Sequence, residues 1–315
     1  MILDDGYGAE RHESPDRRSE FSPKLTKLVE ALREKIDCPQ SFDDFVDLVA
    51  ARIDPEERIE LTRLLQEELQ NPFRCSERAR QCGVTLSVLA KPPRENTPTG
   101  DFFDAFEVPD RRFSIFIGDA VGHDTQTAWD NSARFNLYTR EPNFIERAFP
   151  HGVTAQKVLE YIDQYCNFRG TPGLDAVVAS HVLLDPQTGE FSFANAGNTP
   201  YLGIIRATGE LEFLRACGGP LGHPELFEYL QSEPNCIHGK LEHGDVAIMA
   251  SDGLFDGVHI SGQKMSDSFR EVLEDLLGKS VTPQQVLAHV YSHLRSTKDD
   301  LVICAFGLSP STGIR

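Results

Sequence analysis

The chain reads as an α+β protein in which antiparallel sheets carry helices on their faces, with a helical stretch ahead of them. Two observations predict this class. After residue 82, short apolar runs follow one another, each bounded by Gly, Pro, Asn or Asp, the punctuation of strands and turns. Helical periodicity interrupts those runs in two places, which suits helix pairs laid on the outside of hairpin-ordered sheets.

Residues 1–21 are polar and charged and read as a flexible tail. Over residues 22–80 the pattern is helical. Leu25, Leu28, Val29, Leu32 and Ile36 form one stripe. Ser41 with Asp44 resembles a capping box ahead of Phe42, Phe45, Val46, Val49 and Ile53. Asp54-Pro55 is an N-cap followed by proline, opening ERIELTRLLQEELQ, and CSERARQC adds a turn or two. This stretch carries no chemistry of its own and reads as a regulatory or dimerisation module. The main domain is expected over 83–308. Its strands are VTLSVLA, DFFDAFEV, RFSIFIGD, DAVVASHVLLD, EFSFANAG, YLGIIRA, ELEFLRA, DVAIMASDG and DDLVICAFG. Its helices are a polar segment over 125–148, TAQKVLEYIDQYCNF, KMSDSFREVLEDLLG and TPQQVLAHVYSHL.

Composition narrows the function classes. A hydrophobic content of 40% supplies an ample core, so the chain is globular. The net charge of −18 argues against nucleic acid or an anionic membrane as partner, since phosphate contacts need a basic face. The first residues lack the apolar core of a signal peptide, and no run approaches a membrane span. Seven scattered cysteines without a C-x-x-C pair read as reduced thiols, so a cytoplasmic location is expected.

Chemistry concentrates in four acidic clusters at strand ends or glycine turns: Asp101 and Asp104, Asp119 and Asp124, Asp252 and Asp256, Asp299 and Asp300. Alone, each is an ordinary turn or helix cap. Together they are different: strand ends from distant parts of a chain can converge on one edge of a core, where carboxylates repel unless cations neutralise them. Oxygen ligands without a Cys/His cluster suit Mg²⁺ or Mn²⁺ rather than zinc. Two such ions would acidify and orient a water for attack on phosphorus, so the pattern points to a phosphate hydrolase.

In order, GDFFD, GDAVGHD, ANAGNTP, GGPLG, GDVAIMASDGLFD and KDDLVICAF resemble the motif series of PPM-type, protein phosphatase 2C-like Ser/Thr phosphatases. The bacterial SpoIIE-like branch, which dephosphorylates anti-sigma-factor antagonists, is the most similar. The resemblance implies two antiparallel sheets packed as a sandwich and flanked by helix pairs. It implies that Asp119 bridges two Mg²⁺ or Mn²⁺ ions, joined by the backbone carbonyl of Ala120. Asp101 would hold one ion and Asp252 and Asp299 the other, with a bridging hydroxide attacking phosphoserine or phosphothreonine. The partner implied is a phosphorylated regulatory protein, with an activator or self-association acting through the N-terminal helices.

Other motif residues carry two readings each. Asp104 orients a metal-bound water or caps a local turn; Asp300 is a hydrogen-bond acceptor behind the site or an exposed strand start. His123 is a general acid or a turn residue. Asn195, Gly197 and Asn198 read as a strand-to-turn corner, Gly253 as a tight turn, and Gly218, Gly219, Pro220 and Gly222 as a shaped loop. The chain departs from the branch pattern at Asp124, at the polar helix after it and at NAGN, none of which removes an expected ligand. Two alternatives stand beside the phosphatase: a phosphatase-fold binding scaffold with little or no turnover, and a hydrolase of small phosphate compounds.

Overall fold

The computed structural model describes residues 72–92, 99–120, 147–168, 177–199, 201–222 and 236–310. The expected tail, nearly all of the N-terminal helical stretch and nearly all of the helix over 125–148 lie outside the described residues, as do His123 and Asp124. Along the chain come α1 (Pro72–Gln81), β1 (Val84–Lys91), β2 (Asp101–Glu107), β3 (Phe113–Ala120), α2 (Ala155–Phe168), β4 (Val177–Leu184) and β5 (Glu190–Ala196). Next are β6 (Tyr201–Ile205), β7 (Leu211–Arg215), β8 (Cys236–Lys240), β9 (Val246–Ala250) and α3 (Asp252–Phe255). The last elements are β10 (Val258–His259), α4 (Met265–Glu274), α5 (Pro283–His293), β11 (Leu294–Ser296) and β12 (Leu301–Leu308).

The strands form two five-stranded antiparallel sheets, ordered β1-β12-β9-β6-β7 and β2-β3-β4-β5-β8, with β10 and β11 pairing separately. Both faces of each sheet are covered, which explains apolar runs without polar alternation. In β12, Val302, Cys304 and Phe306 enter the core between the sheets, beside Ile115, Val182 and Phe193 of the other sheet. Leu301, Ile303 and Ala305, on the opposite face, pack under Phe269, Val272, Val286 and Val290 of α4 and α5. In β3, Ile115 and Ile117 face the central core while Phe116 meets Val158, Leu159 and Ile162 of α2. Helix, sheet, sheet and helix make four layers, the expected sandwich.

Some elements exceed the sequence reading. The turn or two expected at CSERARQC is a ten-residue helix, α1, whose buried Cys75 and Ala79 join the central core. Edge strand β8 was not anticipated; its CIHGK sequence has no alternation, because an edge strand buries only part of one face. Thr282 and Gln285 close a capping box on α5. Among the described residues no helix is long and apolar enough to cross a membrane.

Candidate metal centre

The topology sets four strand ends at one edge of the sandwich. β2 and β3 form a hairpin whose turn at Asp110 is closed by Val108 and Arg112, with Arg111 at φ 66°. Asp101 and Asp119 are equally far from that turn and are direct cross-strand partners. Directly opposed residues project on the same face with Cβ atoms about 4.5–5.5 Å apart, where like charges destabilise the pair. In the other sheet, β9 ends at Ala250 just before Asp252, and its partner β12 begins just after Asp299 and Asp300. One carboxylate oxygen each from Asp101, Asp119 and Asp252 lies within 4.8 Å of the other two.

The two sheets are tied at this mouth. Asp300 Oδ2 accepts from the backbone N–H of Gly100 at 2.6 Å and of Asp101 at 3.4 Å, so of its two readings the structure selects the acceptor. Ser251, fully buried, accepts from the Val302 N–H at 2.9 Å through Oγ, and its hydroxyl donates to the Asp101 carboxylate. Two glycines permit close approach. A Cβ on Gly100 would stand 2.8 Å from Asp119 Oδ1 and 3.0 Å from the Ala120 carbonyl oxygen, so that carbonyl and that carboxylate share one small space. A Cβ on Gly253 would stand 1.7 Å from the Asp300 carbonyl oxygen, a clash no side chain survives.

Among the described residues the mouth gathers like charges. Asp101 is 2% exposed, and burial, then the Asp119 charge, raises its carboxyl well above the usual range. Burial, with the charges of Asp252, Asp299 and Asp300, pushes Asp119 up to about 7. Burial and then Asp299 raise Asp252. Burial pushes Asp300 up to about 6 against the pull of the Gly100 and Asp101 N–H groups. The charged side chains that act most strongly on these four are all aspartates. Asp101 Oδ2 is buried with no hydrogen-bond partner among the described residues. A buried, partnerless carboxylate oxygen facing like charges fits a hard divalent cation, which takes oxygen ligands and reverses the local repulsion.

The remaining sequence candidates divide. Asp299 shares the mouth, where its charge acts on Asp119 and Asp252, but it is outside the group of three. Asp104 is buried within β2, with Oδ1 accepting from the Ala105 N–H at 2.9 Å. Asp256 is exposed and paired with Lys264 at 3.1 Å. Asn195 donates to Ser180 Oγ and the Thr199 carbonyl, Asn198 donates to the Ile117 carbonyl, and Gly197 has φ 76°, the expected corner. Leu221 exchanges backbone bonds with Val177, and Gly222 N–H donates to Asp163 of α2 at 2.6 Å, pinning the glycine loop. Sequence reasoning missed Ser251; a serine before Asp-Gly carries no periodic signal.

A family model described as Stage II sporulation protein E (SpoIIE) matches residues 109–308. Stage II sporulation protein E of Bacillus subtilis (strain 168) is 21% identical over 159 residues, which are 50% of this chain and 17% of that protein, so the chain spans only a small part of that relative. The RsbU and RsbW domains of Rv1364c from Mycobacterium tuberculosis match at TM-score 0.59 and 24% identity, over 73% of this chain and 62% of that one. The SiaA-PP2C domain of Pseudomonas aeruginosa matches at TM-score 0.60 and 19% identity, over 83% and 100%. RsbX in complex with magnesium matches at TM-score 0.52 and 17% identity, over 72% and 96%. At these identities the structural likenesses show the fold.

Proposed function

Because the chain belongs to the Stage II sporulation protein E (SpoIIE) family, we propose that it is a metal-dependent phosphatase of phosphoserine or phosphothreonine in a regulatory protein. The observation that carries this reading is the gathering of Asp101, Asp119 and Asp252 from both sheets around a buried carboxylate oxygen that has no hydrogen-bond partner among the described residues and has aspartates as its strongest charged neighbours. Asp119 and the carbonyl of Ala120 would be shared between two ions, with Asp101 completing one and Asp252 and Asp299 the other. A bound Mg²⁺ or Mn²⁺ pair supplies an acidified, oriented water and offsets charge on the phosphoryl oxygens. The chain's own part is positional. Asp300 fixes the backbone of Gly100 and Asp101, Ser251 turns the Asp101 carboxylate, and Gly253 lets the two loops meet. For substrate class we favour a phosphorylated anti-sigma-factor antagonist, on the motif resemblance and the fold shared with a chain of RsbU and RsbW domains. The N-terminal helical stretch is proposed as the regulatory or self-association module.

The test is hydrolysis of p-nitrophenyl phosphate and of a phosphoserine protein with Mn²⁺, Mg²⁺ or EDTA, beside calorimetric metal titration. Metal-dependent release with two ions bound supports the reading. Metal binding with no hydrolysis of any phosphoprotein turns it to the scaffold, and preference for a small phosphate ester over phosphoprotein to the small-substrate hydrolase.

A further inference from the structure

Away from the acidic mouth, α4 and α5 lie together on the outer face of the first sheet. Asp275 caps the C-terminus of α4, and His289 and His293 stand one turn apart on the same face of α5. One ligand atom each from Asp275, His289 and His293 lies within 4.8 Å of the other two. Backbone carbonyls orient both rings. His289 Nε2 bonds the Val272 carbonyl at 3.0 Å, and His293 Nδ1 bonds the His289 carbonyl at 2.9 Å. A carbonyl only accepts, so in the neutral rings those nitrogens carry the hydrogens, while His289 Nδ1 and His293 Nε2 keep lone pairs. Metal-ligating histidines are held in this way, with the second ring nitrogen spent on a carbonyl. Burial, then the His293 charge, favours neutral His289.

The neighbourhood adds a second observation. The ring of His259 lies parallel to that of His293 at 5.7 Å between centroids, and its Nε2 is buried with no partner among the described residues. Its Nδ1 is engaged by Ser261 through Oγ at 2.8 Å and N–H at 3.1 Å. Lys279, the cation bordering the cluster, spends its Nζ on the Asp275 main-chain carbonyl at 2.5 Å and leaves the carboxylate to the site.

We propose that Asp275, His289 and His293 form a structural site for one zinc-class divalent cation, distinct from the acidic mouth and independent of the function proposed for it. Two imidazoles and a carboxylate suit a borderline-soft ion, whereas the all-oxygen mouth suits Mg²⁺ or Mn²⁺. Ligand bonds of about 2.0–2.2 Å draw the three side chains inward from their present spacing. The fourth position takes a water. The ion would clamp the end of α4 to the end of α5. The His293 carbonyl accepts from the Ile260 N–H at 2.9 Å, so the β10 hairpin is held as well. From His293 the chain runs through β11 directly to Asp299 and Asp300, and the clamp steadies the segment that delivers them.

Co²⁺ is the probe, added to metal-stripped full chain carrying Asp119→Asn and Asp252→Asn to disable the mouth. The expected result is one equivalent bound with the visible absorption of imidazole-ligated cobalt, displaced by Zn²⁺. Adding His293→Ala or the surface change Asp275→Asn to that chain weakens Zn²⁺ binding at least about tenfold. Both also abolish the rise in Tm that Zn²⁺ gives their parent, while circular dichroism confirms that they fold. A parent chain without the cobalt band, or with Zn²⁺ affinity unchanged in both variants, overturns the site. Phosphatase activity with Mn²⁺ is measured separately and stands or falls by itself.

Discussion

Strand β9 has a buried aspartate ahead of its first residue and an acidic mouth after its last, and the two ends differ in what surrounds their carboxylates. Asp245, 4% exposed, accepts from Arg206 Nη1 at 2.8 Å and from the backbone N–H groups of Ala207 at 2.8 Å and Glu242 at 2.9 Å. Every demand of that carboxylate is met from within the chain. At the other end, Asp101, Asp119, Asp252 and Asp300 converge with like charges as neighbours, and one buried oxygen has no partner among the described residues. Burial alone therefore does not distinguish a structural carboxylate from one kept for a ligand. What distinguishes the two among the described residues is the charged neighbour: an arginine at Asp245, other aspartates at the mouth. Like charges gathered there cost the metal-free protein stability, which a bound divalent ion would return.

The largest effect that sharpens this contrast is Asp119→Asn. Removing the carboxylate shared by the proposed ions forfeits several kcal/mol of transition-state stabilisation, on the order of a thousandfold in kcat at saturating Mn²⁺. The same change removes a repelling charge, so in EDTA the variant melts above the wild type. A variant that loses activity but melts lower without metal would contradict the repulsion argument.

Next in size is the pH dependence of the metal-free protein. Asp119 titrates at about 7 when folded and near about 4 when unfolded, so across that interval the folded state binds the extra proton. Its contribution to stability is fully present below the unfolded value and is lost as pH rises through 7. In EDTA the Tm is expected to be higher at pH 5 than at pH 8. Mn²⁺ should close that gap at pH 8, where the carboxylates are free to bind it. Scanning fluorimetry at both pH values checks this, and a metal-free Tm that rises with pH refutes it.

Asp300 tests a finer point, since it binds no ion in the proposed scheme but holds the backbone that presents Asp101. Asp300→Ala is expected to raise the Kd for Mn²⁺ by about 10–100-fold, the usual cost of losing a group that orients a ligand. Asp300→Asn keeps an acceptor for the Gly100 N–H and should lose less. Equal losses in the two would mean that the charge of Asp300 matters rather than its hydrogen bonds.

Much of this contrast is legible in the sequence, for identifiable reasons. DFFDAFE and FSIFIGDA flank a short polar turn at equal distances, so the opposition of Asp101 and Asp119 follows once the hairpin is recognised. The convergence of β9 and β12 on the same edge was a possibility the acidic strand ends raised and the family resemblance sharpened, because no local pattern encodes which sheet edge a distant strand joins. The resemblance separated Asp299, an expected ligand, from Asp300, but left Asp300 between acceptor and exposed strand start; adjacent strand-entry residues project to opposite sides, and only the register shows that Asp300 meets Gly100. Ser251 and β8 stayed hidden because their identities follow from what packs across from them. The cluster of Asp275, His289 and His293 escaped for a related reason: only an i, i+4 histidine pair was there to see, and nothing local in the sequence shows that the end of α4 meets it.

The smallest effect concerns the self-sufficient end. Arg206 donates to Asp245, to the Lys240 carbonyl and to Glu212, and its side chain is 21% exposed, so water screens part of what it contributes. Arg206→Ala leaves Asp245 with its two backbone N–H donors and is expected to cost about 1.5–2 kcal/mol, the lower part of the range for a hydrogen bond to a charged group. In urea the midpoint should fall with an unchanged slope. Mn²⁺ affinity and kcat should stay at wild-type values, because the cation lost here serves a carboxylate that never needed one from outside. If Arg206→Ala also weakened Mn²⁺ binding, the rigid β9 between the two ends would be transmitting the change, and the two compensation schemes would have to be treated as one.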